Sequence, residues 1–448
     1  MTAIFDLFKP DPFKPEIQDK EKVDTLYKYW RIRIFYSMFI GYALYYFTRK
    51  SFTFAMPGLI EELGFTKGEL GFLGTVLSLT YGLSKFISGI ISDRSNPRYF
   101  MAIGLMLTGV FNICFGLSSS LWMFTLFWAL NGWFQGFGWP PCARFLTHWY
   151  SHSERGSWWS SWNAGHNLGA FLVPWIVGFA LHYWGWRQAM FLPGGICLLG
   201  GLFLINRLRD TPQSLGLPPV EKYRNDYPAN DTDNFSETEL TAREILVDYV
   251  LKNRYIWLLG VAYFFIYFVR IGVGDWTALF LIESKGYNYI VANGTVSLFE
   301  IGGFLGSLTA GWSSDYVFKA KRGPVNVLFA IGIFCSITAF VFLPKDYFFL
   351  DSCMLFLMGF FIFGPQMLIG VAAAELSHKK AGATSTGFIG WMAYLGAAVA
   401  GYPLGKVTQE YGWNGFFWCL AFCSIIAVLF LIPLWNTVEG PVVVPRKK

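Results

Sequence analysis

Four cations and two carboxylates lie where an apolar sequence should carry none. Arg49, Lys50, Lys85, Arg270, Asp275 and Glu300 each fall inside long hydrophobic runs, and His166 lies deep in another. A charge at mid-bilayer costs about 2.5–3.5 kcal/mol on insertion scales, so such groups face a cavity or a partner. Lysine and arginine near a run's end can instead snorkel to the interface. Arg49 follows Arg33 by 16 residues, and Arg270 follows Arg254 by the same 16. At 1.5 Å per residue both lie roughly 24 Å along a helix, too far to snorkel back. These charges carry an excess of two positives, to which His166 can add a proton. An apolar site does not hold unpaired charge cheaply, so a dianion is the natural occupant. A phosphate ester fits, because arginine meets its oxygens with a planar fork. Sulfate or a dicarboxylate satisfies the same arithmetic. The residues therefore specify a transporter or receptor for a small divalent anion.

Aromatic and amide stripes accompany the charges. Tyr42, Tyr46 and Arg49 are spaced i, i+4, i+7 on one helix face, and Tyr263, Tyr267 and Arg270 repeat that spacing. Tyr81 and Lys85 share a face, as do Trp159, Asn163, His166 and Ala170. Alone, aromatic stripes are ordinary packing. Attached to a buried cation, they read as the lining of a polar cavity.

The elements that position these residues are membrane helices. The 448 residues are 54% hydrophobic and 14% charged, with mean hydropathy +0.41. Soluble domains carry about 25% charge, so this chain cannot cover soluble surfaces of its length. Apolar runs occupy 33–58, 68–92, 99–118, 121–143, 157–182 and 187–206, then 254–282, 288–313, 324–344, 347–374, 381–406 and 414–436. Each is long enough for about 20 membrane residues. The net charge of +6 does not indicate nucleic acid, since the basic residues form no continuous patch. With an N-terminus in the cytoplasm, cytoplasmic segments hold 26 of the 35 lysines and arginines. That bias places both termini inside. The expected outer loops hold Lys67, Arg187, Lys285 and Lys345, with Lys406 near a helix end. Residues 1–30 are not expected to be a signal peptide, since no short apolar stretch or cleavage site follows a basic start. The seven cysteines lie in or at the edge of apolar runs without CxxC pairs; Cys419 and Cys423 share a face and read as packing. No cofactor and no metal site is expected. The sequence shows no evident nucleophile–base pattern or metal-ligand spacing around His166, so the chain is not expected to be an enzyme.

The sequence repeats internally. Tyr46-Phe47-Thr48-Arg49 matches Tyr267-Phe268-Val269-Arg270, and Gly89-Ile90-Ile91-Ser92-Asp93 matches Gly311-Trp312-Ser313-Ser314-Asp315. Glu61 and Gly64 map onto Glu283 and Gly286. Four matches in register indicate a duplicated six-helix unit. The expected fold is an all-α polytopic membrane protein of twelve transmembrane helices in two pseudo-symmetric six-helix bundles, the major facilitator architecture. The bundles span 1–206, with a cytoplasmic tail 1–30, and 254–448. Residues 207–253 form a cytoplasmic linker, whose Asn230 and Asn234 sequons would then not be glycosylated.

Local sequences carry a further resemblance. Tyr45-Tyr46-Phe47-Thr48-Arg49-Lys50, Tyr81-Gly82-Leu83-Ser84-Lys85-Phe86, Ser92-Asp93-Arg94-Ser95-Asn96-Pro97-Arg98 and the stretch from Gly132 to Pro141 resemble the organophosphate:phosphate antiporter family. So do Trp162-Asn163-Ala164-Gly165-His166-Asn167 and the linker from Arg209 to Pro219. The segment from Gly364 to Ala373 resembles the hexose-6-phosphate branch, including its sensor-like member. The resemblance implies that Arg49 and Arg270 hold phosphate, with His166 and Lys85 beside them. It implies substrate contacts from Tyr42, Tyr46, Trp139, Trp162, Asn163, Tyr267 and Tyr394, and an internal charge network of Lys50, Asp275 and Glu300. It also shows two departures. Phe363 stands where the glycerol-phosphate branch has a tyrosine. Ala397 and Ala400 stand where the enteric hexose-phosphate antiporter has an acid and a lysine.

The resemblance implies exchange of a hexose phosphate, foremost glucose 6-phosphate, for inorganic phosphate across a bacterial plasma (inner) membrane; a monomer is expected. Two alternatives stay open: a membrane sensor of the same ligand signalling to a partner kinase, and a proton-coupled organic-anion symporter. A eukaryotic internal membrane is the alternative location.

Overall fold

In a computed structural model, residues 8–93, 95–226, 245–319, 321–344, 347–377 and 382–437 are described. Asn230, Asn234, Lys345 and the basic C-terminal tail lie outside them. The long helices are α1 (Lys20–Leu63), α2 (Lys67–Asp93), α3 (Pro97–Gly116), α4 (Leu121–Gln135), α5 (Trp139–Trp149), α6 (His152–Trp184) and α7 (Trp186–Arg207). They continue as α8 (Arg254–Lys285), α9 (Tyr289–Trp312), α10 (Arg322–Val341), α11 (Phe348–Glu375), α12 (Gly382–Val399) and α13 (Tyr402–Leu431). Among the described residues, eight helical stretches are long and apolar enough to cross a membrane. The last of them, Thr384–Leu434, is 51 residues long, enough for two crossings.

Two of the expected single helices are broken, each for a local reason. The run 121–143 divides at Gly136-Phe137-Gly138, just before Pro140 and Pro141. A β-carbon at Gly136 would lie 2.3 Å from Ser84 Oγ, so only glycine lets α2 approach. The carbonyls released by the break are met by α2 hydroxyls: Ser84 donates to Trp133 O, and Ser88 donates to Gly136 O at 2.7 Å. Freed backbone groups at membrane depth need such partners. The run 381–406 breaks at Ala400–Gly401, where Pro403 supplies no N–H to the carbonyls of the preceding turn. Thr75 bridges this gap: its hydroxyl donates to Ala398 O at 2.6 Å and accepts from Tyr402 N at 2.8 Å. The turn before the last crossing is Gly412, at φ 66°.

Contacts divide the chain into two compact units. One comprises Met1–Ala55 and Thr80–Ser236, the other Met56–Leu79 and Glu237–Lys448. The tip of the α1–α2 hairpin therefore groups with the second unit.

In the first unit, α3 and α7 cross closely, and a β-carbon at Gly109 would meet Gly194 O at 2.6 Å. The tail and the start of the linker form a polar pad. Asp210 pairs with Arg144 at 3.2 Å and accepts from Asp11 N at 3.0 Å. Burial pushes the Asp210 carboxyl up, against the pull of Arg144. Lys14 N and Ile17 N donate to Gln213 O and Gly216 O at 3.0 and 2.9 Å. Tyr27 stacks on Tyr223 with ring centroids 3.9 Å apart. The described start of the linker, 207–226, thus contributes its polar residues to this pad.

In the second unit, α9 and α11 touch backbone to backbone. β-Carbons at Gly302, Gly306 and Gly359 would lie 2.0, 1.9 and 1.9 Å from facing carbonyl oxygens. This is the small-residue packing that membrane helices use. Gly306→Ala should cost about 1–3 kcal/mol, because a methyl there forces the helices apart. A lower melting temperature in detergent checks it; an unchanged one sinks the close-packing account.

Hairpin ends in this unit are stitched by reciprocal bonds. Gly64 and Gly286 both end helices with positive φ, 68° and 74°. Three residues before Gly64, Glu61 accepts from Tyr289 Oη at 2.5 Å; three residues before Gly286, Glu283 pairs with Lys67 at 2.7 Å. Tyr289 and Lys67 each stand three residues after the opposite glycine, so the duplication makes the two bonds equivalent. Trp413 Nε1 also donates to Glu283, at 2.9 Å.

Two lysines expected in outer loops are therefore not loop residues. Lys67 begins α2. Lys285 ends α8 and is 8% exposed, with its ammonium 2.5 Å from Asp351.

Candidate functional site

The first unit gathers most of the sequence-derived site residues. On α1, Tyr42 and Tyr46 are buried with ring centroids 5.9 Å apart, as i, i+4 spacing requires. The Arg49 guanidinium lies 4.4 Å from the rings of both Tyr46 and Tyr81. Such cation–π contacts orient a cation through the ring quadrupole. On α6, Trp162 lies 4.8 Å from Tyr42, and His166 lies 5.9 Å from Tyr46. His166 Nδ1 contacts the carbonyl of Asn163, one turn earlier. Lys85 on α2 lies 5.5 Å from the ring of Trp139, the first residue of α5. Trp139 reaches Trp162 through Trp159, at 5.9 and 6.2 Å. Tyr42, Tyr46, Arg49, Lys85, Trp139, Trp162, Asn163 and His166 therefore form one linked group.

Sequence reasoning missed what stands behind Arg49. Arg49 Nε donates to Gln135 Oε1 at 3.1 Å. Gln135 Nε2 donates to Thr48 Oγ1 and Asn131 Oδ1 at 3.0 and 3.1 Å. Asn131 reaches Asn112, which donates to Met190 O at 2.7 Å. Asn112, Asn131 and Gln135 are each at most 1% exposed. A signal existed: Asn131 and Gln135 are amides at i, i+4 in the apolar run 121–143, just before Gly136. The helix break then puts Gln135 on Arg49 and Trp139 on Lys85 within four residues.

The second unit holds the repeat's counterpart. Tyr263 and Tyr267 have centroids 4.8 Å apart, and Tyr394 on α12 lies 5.9 Å from Tyr267. The Arg270 guanidinium lies 5.3 Å from the Tyr267 ring and 5.0 Å from Phe363 on α11. Phe363 thus supplies a ring face where the related branch has a hydroxyl. Tyr263 donates to Gln366 O at 2.8 Å, tying α8 to α11. Asp275 and Glu300 belong to α8 and α9 here, with Glu300 buried; Lys50 belongs to α1 of the first unit. Ala397 and Ala400 are both buried, and Ala400 O accepts from Trp276 Nε1 at 3.3 Å. Among the described residues no group of three His, Cys, Asp or Glu could hold a metal ion.

Residues 38–401 match the family model of the Major Facilitator Superfamily. The chain belongs to this superfamily. Within it, the chain falls in the organophosphate:phosphate antiporter family, on its hexose-phosphate side. A probable hexose phosphate transport protein of Chlamydia trachomatis is 58% identical over 443 residues, covering 97% of each chain. The membrane sensor protein UhpC of Salmonella typhimurium is 50% identical over 424 residues, covering 94% of this chain and 95% of the relative. Among solved structures, a bacterial homologue of the human lysosomal transporter Spinster, inward-facing and occupied, superposes with a TM-score of 0.70. It covers 90% of this chain and 95% of its own at 15% identity, which speaks to the fold alone. This facilitator is a multi-pass membrane transporter and not an enzyme.

Proposed function

We propose that this facilitator exchanges a hexose phosphate, foremost glucose 6-phosphate, for inorganic phosphate by alternating access. The reading places it in a bacterial inner membrane with both termini cytoplasmic, the bundles 1–206 and 254–448 being the halves that move. Arg49 and Arg270 bind the phosphate, the surrounding tyrosines, tryptophans, Asn163, Lys85 and His166 contact substrate, and Lys50, Asp275 and Glu300 balance charge. One observation carries this reading: the duplication puts an arginine after an i, i+4 tyrosine pair in both units, and each guanidinium rests on tyrosine. A tyrosine ring orients a guanidinium through its quadrupole and carries no formal charge of its own. An empty carrier with two arginines at its anion site should cross poorly, which favours obligatory exchange. Ligand must then favour the crossing state.

The sensor reading has its own support. One relative is named a membrane sensor protein, and Ala397 and Ala400 supply no charged side chains for a sugar. Counterflow of labelled glucose 6-phosphate in liposomes holding purified protein and internal phosphate separates the two. Counterflow that needs internal phosphate and survives a protonophore is the expected result. Binding without counterflow would establish the sensor. Uptake that a protonophore collapses, without phosphate dependence, would establish the symporter.

A further inference from the structure

Arg49 is set by a chain of amides whose orientation is fixed from its far end. Asn112 Nδ2 donates to Met190 O, a main-chain acceptor that cannot reverse its role. Its Oδ1 must then face the other way, where it accepts from Ser51 Oγ at 2.9 Å and from Asn131 Nδ2 at 3.4 Å. Asn131 Nδ2 also meets Thr48 O at 3.3 Å, which leaves Asn131 Oδ1 to accept from Gln135 Nε2. Gln135 then has only Oε1 to turn toward Arg49 Nε. Flipping any one amide would set donor against donor in a buried interior and leave polar groups unmade. The chain joins α1, α3, α4 and the α7 carbonyl. The rotation of the guanidinium about its Nε end is thus decided by four helices, while Tyr46 and Tyr81 carry its face.

We propose that Gln135 is a positioning residue for anion binding: its amide oxygen, locked by the Asn131–Asn112 chain, presets the edge that Arg49 offers to a phosphate oxygen pair. This rests on the reading of Arg49 as a phosphate ligand. A planar fork gives its full attraction only in one plane, so a guanidinium free to roll loses affinity before the carrier loses the ability to turn over.

Labelled-phosphate self-exchange in liposomes, with the full chain, tests this. Gln135→Met keeps length and removes the acceptor. It should raise KM for phosphate about tenfold while the rate at saturating phosphate stays within about twofold, the pattern of lost uniform binding. Gln135→Glu sets a carboxylate on the guanidinium that competes with the anion, and should raise KM further. A merely structural residue would lower the rate through lost active protein and leave KM alone. Unchanged KM in both variants overturns the positioning role. Should Gln135→Met fail to fold, Gln135→Glu decides by itself. A wild-type protein that exchanges no phosphate overturns the exchanger reading instead. The same variants are then compared by glucose 6-phosphate thermal shift, where equal dissociation constants overturn the positioning role and weakened ones uphold it.

Discussion

Arg49→Lys should abolish phosphate self-exchange in liposomes. The substitution keeps the charge, so any loss measures the fork. A guanidinium presents two parallel N–H groups to two phosphate oxygens, whereas an ammonium is a point charge. Lysine also cannot keep the Nε–H bond to Gln135 while reaching a ligand. A hydrogen bond to a charged group is worth about 1.5–3 kcal/mol, so losing one from the fork and one from the anchor lowers kcat/KM by at least about 100-fold. The variant should purify normally, because its rings and its charge remain compatible. Exchange at the wild-type rate would remove Arg49 from the site. Arg270→Lys should follow the same pattern, since Tyr267 and Phe363 carry its face.

Breaking the Lys285–Asp351 pair should cost about 3–5 kcal/mol, the largest stability effect expected in the second unit. Their side chains are 4% and 0% exposed, and the ion pair is 2.5 Å long. Tyr287 Oη donates to the other Asp351 oxygen at 2.6 Å, and Pro344 O takes a further lysine proton at 3.4 Å. Asp351→Ala leaves a buried ammonium without its counter-charge, which is the expensive outcome. Lys285→Met with Asp351→Leu removes both charges and should recover most of the loss, because desolvation then no longer has to be offset. Melting temperatures of the detergent-solubilised protein compare the three. A single variant that melts with the wild type would show that the pair contributes nothing. The pair joins the end of α8 to the first turn of α11, the helices that carry Arg270 and Phe363. Glucose 6-phosphate affinity should therefore weaken in Asp351→Ala and return in the double variant.

Much of the candidate site was legible because a membrane penalises charge. Arg49, Lys85 and Arg270 stand out in apolar runs, and the i, i+4, i+7 stripes name the tyrosines beside them. The second helix of each repeat was equally plain from its Gly-x-x-x-Asp motif. In the second unit Asp315 pairs with Arg322, which also grips Glu375 at 2.9 Å. Neutral amides were barely legible: beyond the i, i+4 spacing of Asn131 and Gln135, they cost little enough to hide in hydrophobic runs. Their importance comes from bonding to one another between α3 and α4 and outward to α1 and α7. Lys285 was misplaced for a related reason. A lysine at a run's end looks like an interfacial residue until a partner 66 positions away buries it.

The sequence by itself determined the membrane class, the duplicated helices and the arginines of each repeat, because hydropathy and spacing along a helix are local properties. Tertiary structure decided where helices break, which hairpin tip joins which unit, and how Arg49 is oriented. Those depend on groups far apart in the chain meeting at hydrogen-bond distance: Thr75 at the Ala398 carbonyl, Ser88 at Gly136, and Met190 at the root of the amide chain. No linear pattern encodes such a meeting, since a buried polar group is satisfied only by the partner that the fold brings to it.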